Sequence, residues 1–219
     1  MDWQLIVDSF WPLLRGGLTA TIPLALASFA LGMAIAIGIA LLRLSPNRAL
    51  SWIGRAYVSA IRGTPLLVQI FVIFYGLPSL GVTLDSWPSA IIALSLNVGG
   101  YAAEVVRAAI LSVPKGQWEA GYTVGMSNVT TLRRIILPQA ARVSVPPLSN
   151  TFISLVKDTS LVSVILVTEM FKEAQKIASV TFEFMTIYLE AALIYWMFCT
   201  VLAFAQDRIE KRLDRYVAH

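Results

Sequence analysis

The 219-residue chain has one cysteine, Cys199, and one histidine, His219. A single thiol allows no disulfide framework and no cysteine-based metal site. A single histidine leaves no Ser-His-Asp triad, no His-ligated metal and no histidine general base to work with. Charge is scarce as well. Asp, Glu, Lys and Arg make up 14% of the residues, where a soluble domain carries about 25%. No Walker A pattern occurs in the sequence, so any ATP used with this chain must be hydrolysed by another. The net charge of +4 does not form a basic stripe. The Lys and Arg residues stand beside apolar runs, which points to lipid and topology and away from nucleic acid.

What the chain has in quantity is apolar surface: 57% hydrophobic residues and a mean hydropathy of +0.72. Five apolar stretches stand out, at 16–42, 66–84, 86–103, 143–168 and 184–206. A helix rising about 1.5 Å per residue needs roughly 20 residues to cross the hydrocarbon, so each stretch can span. The runs are continuous and lack barrel alternation, and a helix pairs every backbone amide within one segment. The first run is longer than the apolar core of a secretory signal and lacks its cleavage signals. The expected fold is therefore an all-α integral membrane protein and a single domain over 1–219. Its five spans lie at about 16–42, 63–84, 86–110, 143–168 and 184–206, with a long loop at 111–142 between the third and fourth.

The basic residues orient these spans. Arg43, Arg48, Arg55 and Arg62 lie between the first and second. Arg107, Lys115, Arg133, Arg134 and Arg142 surround the long loop, and Arg208, Lys211, Arg212 and Arg215 follow the fifth. The alternate loops hold only Arg15, Lys172 and Lys176. Positive-inside places the N-terminus outside and the C-terminus in the cytoplasm. Between 168 and 184, Glu169–Lys172 and Glu173–Lys176 have helical salt-bridge spacing.

The long loop reads as two short helices. Pro114 suits a first helical turn, Gly125 can take φ > 0 and close the helix, Ser127 or Asn128 can cap the next, and Pro138 is expected to end it. Ala120 and Gly121 leave the first helix thin on one face. The pair is either an interfacial hairpin or a docking element.

The fourth span is the odd one, with Pro146, Pro147, Asn150, Lys157 and Asp158 inside it. A central charge costs about 2.5–3.5 kcal/mol on insertion scales, so this helix belongs against protein or a wet cavity. Lys157 lies about 22 Å along a helix from Arg142, somewhat past mid-membrane. An amino-acid zwitterion needs an acceptor for its ammonium, which Asp158 provides. It also needs donors for its carboxylate, which Lys157, Thr159, Ser160 and free backbone N–H groups provide. Asn150 lies on the Lys157 face. The alternative is structural: Lys157 snorkels and the two charges never meet. Asn97, Tyr101 and Glu104 share a face, although Glu104 and Arg107 have ion-pair spacing. Gln69 and Glu190 are weaker polar candidates, and Trp87, Tyr195 and Trp196 are packing or interface residues.

Several motifs then carry a resemblance. Glu119-Ala120-Gly121, Gly125 and Ile135-x-Leu137-Pro138 resemble the EAA loop of ABC importer permeases, with glycine where that family has alanine at 121. Arg62-Gly63-Thr64-Pro65-Leu66, Gly116-Gln117-Trp118-Glu119-Ala120, Leu137-Pro138-Gln139-Ala140 and Lys157-Asp158-Thr159-Ser160-Leu161 are similar to the polar amino-acid permeases of the histidine/glutamine type. The wording from Leu148 to Asp158 looks most like cystine/cysteine importer permeases. The resemblance implies a non-catalytic permease subunit in a bacterial inner membrane, working by alternating access. Gln117, Glu119, Ala120, Gly121 and Gly125 would contact an ATPase dimer. ATP-Mg would sit on that ATPase, with no cofactor and no metal on this chain. Further partners would be a second permease copy, preferably identical, an extracytoplasmic solute-binding protein and the amino acid. Substrate-binding residues would be Lys157, Asp158, Thr159, Ser160, Asn150, Glu104 and Gln69. The alternatives are a gradient-driven secondary amino-acid transporter, which should show inverted repeats, or a permease for Arg, Gln, His or Glu.

Overall fold

A computed structural model describes residues 3–214; Arg215 and His219 lie outside them. The described residues are helical throughout, with no strand. The elements are α1 (Trp3–Leu44), α2 (Arg48–Gly63), α3 (Leu66–Leu80), α4 (Ser86–Ser112), α5 (Lys115–Thr123), α6 (Asn128–Ile165), α7 (Met170–Thr181) and α8 (Phe184–Asp214). Three of them, α1, α4 and α8, are each long and apolar enough to cross a membrane. Two bent pairs bring the total to five: α2 with α3, at 105°, and α6 with α7, at 51°.

Proline shapes three of these helices by one rule. A wide π-type turn occupies Gly17–Thr21, Val72–Gly76 and Leu132–Ile136, and each ends two residues ahead of a proline: Pro23, Pro78 and Pro138. The closing bonds run from Ile22 N–H to Gly17 O, Leu77 N–H to Val72 O and Leu137 N–H to Leu132 O. Proline has no N–H, and its ring crowds the carbonyl four residues back; widening the preceding turn relieves both. Pro138 was expected to end a short helix before the fourth span. Instead α6 runs through it without a break, joining the loop rigidly to the span.

The second half of α1, from Ile22 to Leu44, packs along α4 through small residues such as Ala36, Ala93 and Ala102. α2 lies across them. A Cβ on Gly99 would come within 2.6 Å of Ile35 Cγ2 and 2.8 Å of the Tyr57 hydroxyl, and one on Gly100 within 2.5 Å of Ile61 Cγ2. Such close approach is how membrane helices gain packing when lipid is as apolar as they are. Tyr57 donates to Leu96 O at 2.7 Å, tying α2 to mid-α4. The second span was expected to begin at 63. In the structure α3 follows a further helix, α2 from Arg48, across a 105° bend at 63–65 that lies midway along their packing partner.

Candidate functional site

The break in the second span is made by Gly63-Thr64-Pro65. Thr64 is extended, at φ −121 and ψ 143, because the ring that follows disfavours α backbone. Pro65 caps α3, and its carbonyl accepts from Val68 and Gln69. Gln69 stitches the elbow. Its Nε2 donates to Ile61 O at 2.8 Å, Thr64 O at 3.1 Å and Thr64 Oγ1 at 2.9 Å, while its Oε1 accepts from Asn97 Nδ2 at 3.1 Å. Gln69 thus braces the wall and does not line the space beyond it.

That space is a cavity of about 470 Å³ between the elbow, α4 and α6. Its polar lining is Thr64, Asn97, Tyr101, Asn150, Thr151, Ser154 and Asp158. The Arg62 guanidinium stands 5.4 Å from the centre of the Tyr101 ring, at the edge of this wall. With Val68 and Gln69 bonded to Pro65 O, the N–H groups of Leu66 and Leu67 have no acceptor within their own helix, and Leu66 lines the cavity. A broken helix offering its positive end to a polar mid-span space suits an anionic group.

The four consecutive residues expected to form one site are divided. Asp158 lines the cavity beside the elbow. Lys157 and Ser160 line a different one, of about 550 Å³, with Tyr195, Trp196 and Cys199 of α8. Thr159 is buried and donates to Val156 O at 2.7 Å, and Ser160 donates to Lys157 O at 2.7 Å. Neighbouring helical positions point about 100° apart, and α6 has a cavity on each of two sides, so its two charges enter different ones. Asn150 joins Asp158 in the first cavity and not Lys157 in the second.

Glu104 is also absent from the cavity lining. It forms ion pairs with Arg107, at 3.1 Å, and with Arg43 at the end of α1. The ion-pair reading of Glu104 and Arg107 holds, and Arg43 is the member that sequence spacing missed. Glu190 is buried, accepting from Ser9 at 2.5 Å. Glu169 was paired with Lys172 on spacing alone. Its carboxylate instead caps α7, accepting from the backbone of Phe171 at 2.8 Å and Lys172 at 2.7 Å. It also accepts from Tyr195 at 2.9 Å and Thr21 at 3.4 Å. Glu173 does pair with Lys176, at 3.1 Å.

At the other end of α4, α5 and the start of α6 form the hairpin. Gly125 has φ +76. Gly125 N–H bonds Tyr122 O and Met126 N–H bonds Gly121 O, both at 3.0 Å, the paired pattern of a glycine-terminated helix. Ser127 caps α6 by accepting from Thr130 N at 3.3 Å. The hairpin seats on α4 through Trp118, Ile110, Val113 and Ile136. Glu119, Ala120 and Gly125 are exposed. Gly121 is buried: a Cβ there would meet Thr131 at 2.6 Å. The thin face at 121 therefore serves packing within the hairpin and leaves no surface for a partner. Gln117 is exposed, and its Oε1 accepts from Gln139 Nε2 at 3.3 Å. Among the described residues no group of three His, Cys, Asp or Glu could hold a metal.

A five-span helical bundle with a polar cavity at a mid-span break and a helical hairpin at one end is the architecture of a membrane transport permease. Residues 30–215 match the family described as binding-protein-dependent transport system inner membrane component, and the chain belongs to that family. It is 61% identical, over its whole length and 94% of the relative's, to the L-cystine transport system permease protein TcyB of Bacillus subtilis (strain 168). It is 32% identical to the arginine transport system permease protein ArtQ of the same organism, over 92% of this chain and 93% of that one. Among solved structures it is similar to an amino acid ABC transporter with histidines, with a TM-score of 0.89 at 32% identity, covering 97% of this chain and 99% of that one. The inward-facing MetNI methionine ABC transporter shares the fold, with a TM-score of 0.72 at 20% identity over 96% of this chain and 97% of that one. Family membership sets aside the gradient-driven alternative.

Proposed function

We propose that this chain is the permease subunit of an ATP-driven importer of cystine or a close relative, and that the cavity at the elbow is where the amino acid is held. The observation that carries this reading is Asp158 lining a mid-span polar cavity opposite the N-terminus of a half-helix. Asp158 accepts the substrate ammonium. The carboxylate is met by the Leu66 N–H at the start of α3 and the Tyr101 hydroxyl, so the donors expected at Lys157, Thr159 and Ser160 are replaced by the elbow. The substrate class rests on the 61% identity to an L-cystine permease along the whole chain.

The hairpin end carries most of the Lys and Arg residues and is the cytoplasmic end, with the N-terminus outside. There α5 docks on a separate ATPase dimer, with Glu119 and Ala120 at the contact. Gly125 sets the angle between α5 and α6. Because α6 is unbroken from Asn128 to Ile165, a tilt imposed on the hairpin reaches Asp158 through one rigid element. The ATPase binds ATP-Mg, and this chain binds no cofactor. The far end, with α7, meets the solute-binding protein. Five spans supply half a pore, so a second identical copy completes it within the lipid.

The test is uptake of radiolabelled L-cystine by proteoliposomes holding the permease, its ATPase and binding protein. The expected result is uptake that needs ATP and proceeds without an ion gradient. Uptake driven by a proton or sodium gradient with no ATP would contradict the mechanism, and competition by arginine or glutamine but not by cystine would contradict the substrate.

A further inference from the structure

The polar groups around the elbow cavity differ in whether they are already engaged. Thr64 is held by Gln69 and donates to Ala60 O at 2.8 Å. Asn97 donates to Gln69. Thr151 donates to Pro147 O at 2.9 Å. On α6, by contrast, Asn150, Ser154 and Asp158 line the cavity with no side-chain hydrogen bond to another described residue. They fall on successive turns, so they form a column with steps of about 6 Å and a total rise of about 12 Å. Asn150 and Ser154 are exposed, so the column is open to a ligand held in the cavity.

Its length fits a two-headed amino acid. The α-carbons of a disulfide-linked pair stand about 5.5–6 Å apart, and each carries an ammonium and a carboxylate. The polar atoms of each head lie about 1.5 Å beyond its α-carbon, and a hydrogen bond adds about 2.9 Å at each end. The groups that hold the two heads can therefore stand up to about 14 Å apart. A first head at Asp158 puts the second within reach of Asn150, with Ser154 between them. A zwitterionic head is neutral overall, and an asparagine amide presents an acceptor and two donors from one neutral group. Asn150 satisfies both charges of the second head without placing another ion in the membrane interior. We propose that Asn150, supported by Ser154, is the specificity-determining residue that holds the second head of a cystine-type substrate. The proposal rests on the reading that Asp158 holds the first.

The experiment measures binding of L-cystine and of the one-headed S-methyl-L-cysteine to the purified permease–ATPase complex without binding protein. Asn150→Leu is expected to weaken cystine about tenfold and to leave S-methyl-L-cysteine within about twofold. Equal loss for both ligands, or loss for neither, overturns the proposal. If Asn150→Leu does not assemble, Asn150→Asp decides. It is expected to turn preference from cystine toward S-(2-aminoethyl)-L-cysteine, whose far end is a lone ammonium, and an unchanged order of preference is the contrary result. Failure of the underlying reading looks different. Wild-type complex that binds no cystine removes both claims. Cystine affinity unchanged in Asp158→Asn removes the first head's site and leaves the Asn150 comparison readable.

Discussion

The two bent spans answer the same problem in opposite ways. Both interrupt a helix inside the bundle and leave backbone groups to satisfy. At the α2–α3 elbow the stitching side chain is neutral, Gln69, and the space beyond it stays open. At the α6–α7 bend the stitching group is the fully buried carboxylate of Glu169, which takes bonds from the backbone of α7, from α1 and from α8. The first break borders an open polar cavity, and the second uses its free groups within the fold. A broken span is thus not itself a sign of a site; what fills the break decides.

Several substitutions can break or sharpen that contrast. The largest effect is expected at Glu169→Ala, which removes a helix cap and two side-chain partners at once. A loss of about 3 kcal/mol or more is expected, read as a lower melting temperature in detergent; an unchanged melt would show that α7 is held by packing alone. Gln69→Leu comes next. It leaves the Ile61 and Thr64 carbonyls and the Asn97 amide unmatched, at about 1–3 kcal/mol, and should reduce substrate affinity along with stability. Stable protein with unchanged affinity would show that the elbow needs no brace.

Gly125→Val is expected to have the smallest effect on stability, about 1–2 kcal/mol from its positive φ, because a Cβ at this position meets nothing within 4 Å. Insertion and assembly should survive while substrate-stimulated ATP hydrolysis is lost. Hydrolysis that remains coupled to transport would remove the hinge role.

The parts legible in the sequence are those governed by local chemistry. Gly125 at φ +76 and Ser127 as a cap follow from neighbouring residues and their turn preferences. The five spans follow from apolar length. The elbow did not, because α2 is rich in arginine and reads as a loop. Arg48, Arg55 and Arg62 recur every seven residues, with Gly54, Val58 and Ile61 packed along a neighbouring stripe of the helix. That pattern was the available signal for a helix continuing the second span. The partition of Lys157 from Asp158 was hidden for another reason. Helical geometry says that they diverge, but only the positions of α3, α4 and α8 say which one faces the elbow.

The central claim is that the amino acid lies on the Asp158 side of α6 and not on the Lys157 side. Cystine binding to the purified complex, measured side by side for Asp158→Asn and Lys157→Met, tests it most directly. About a tenfold to hundredfold loss is expected for the first, the size of one charge-assisted contact, with near wild-type affinity for the second. Full binding with Asp158→Asn and loss with Lys157→Met would place the substrate against α8 and contradict the account.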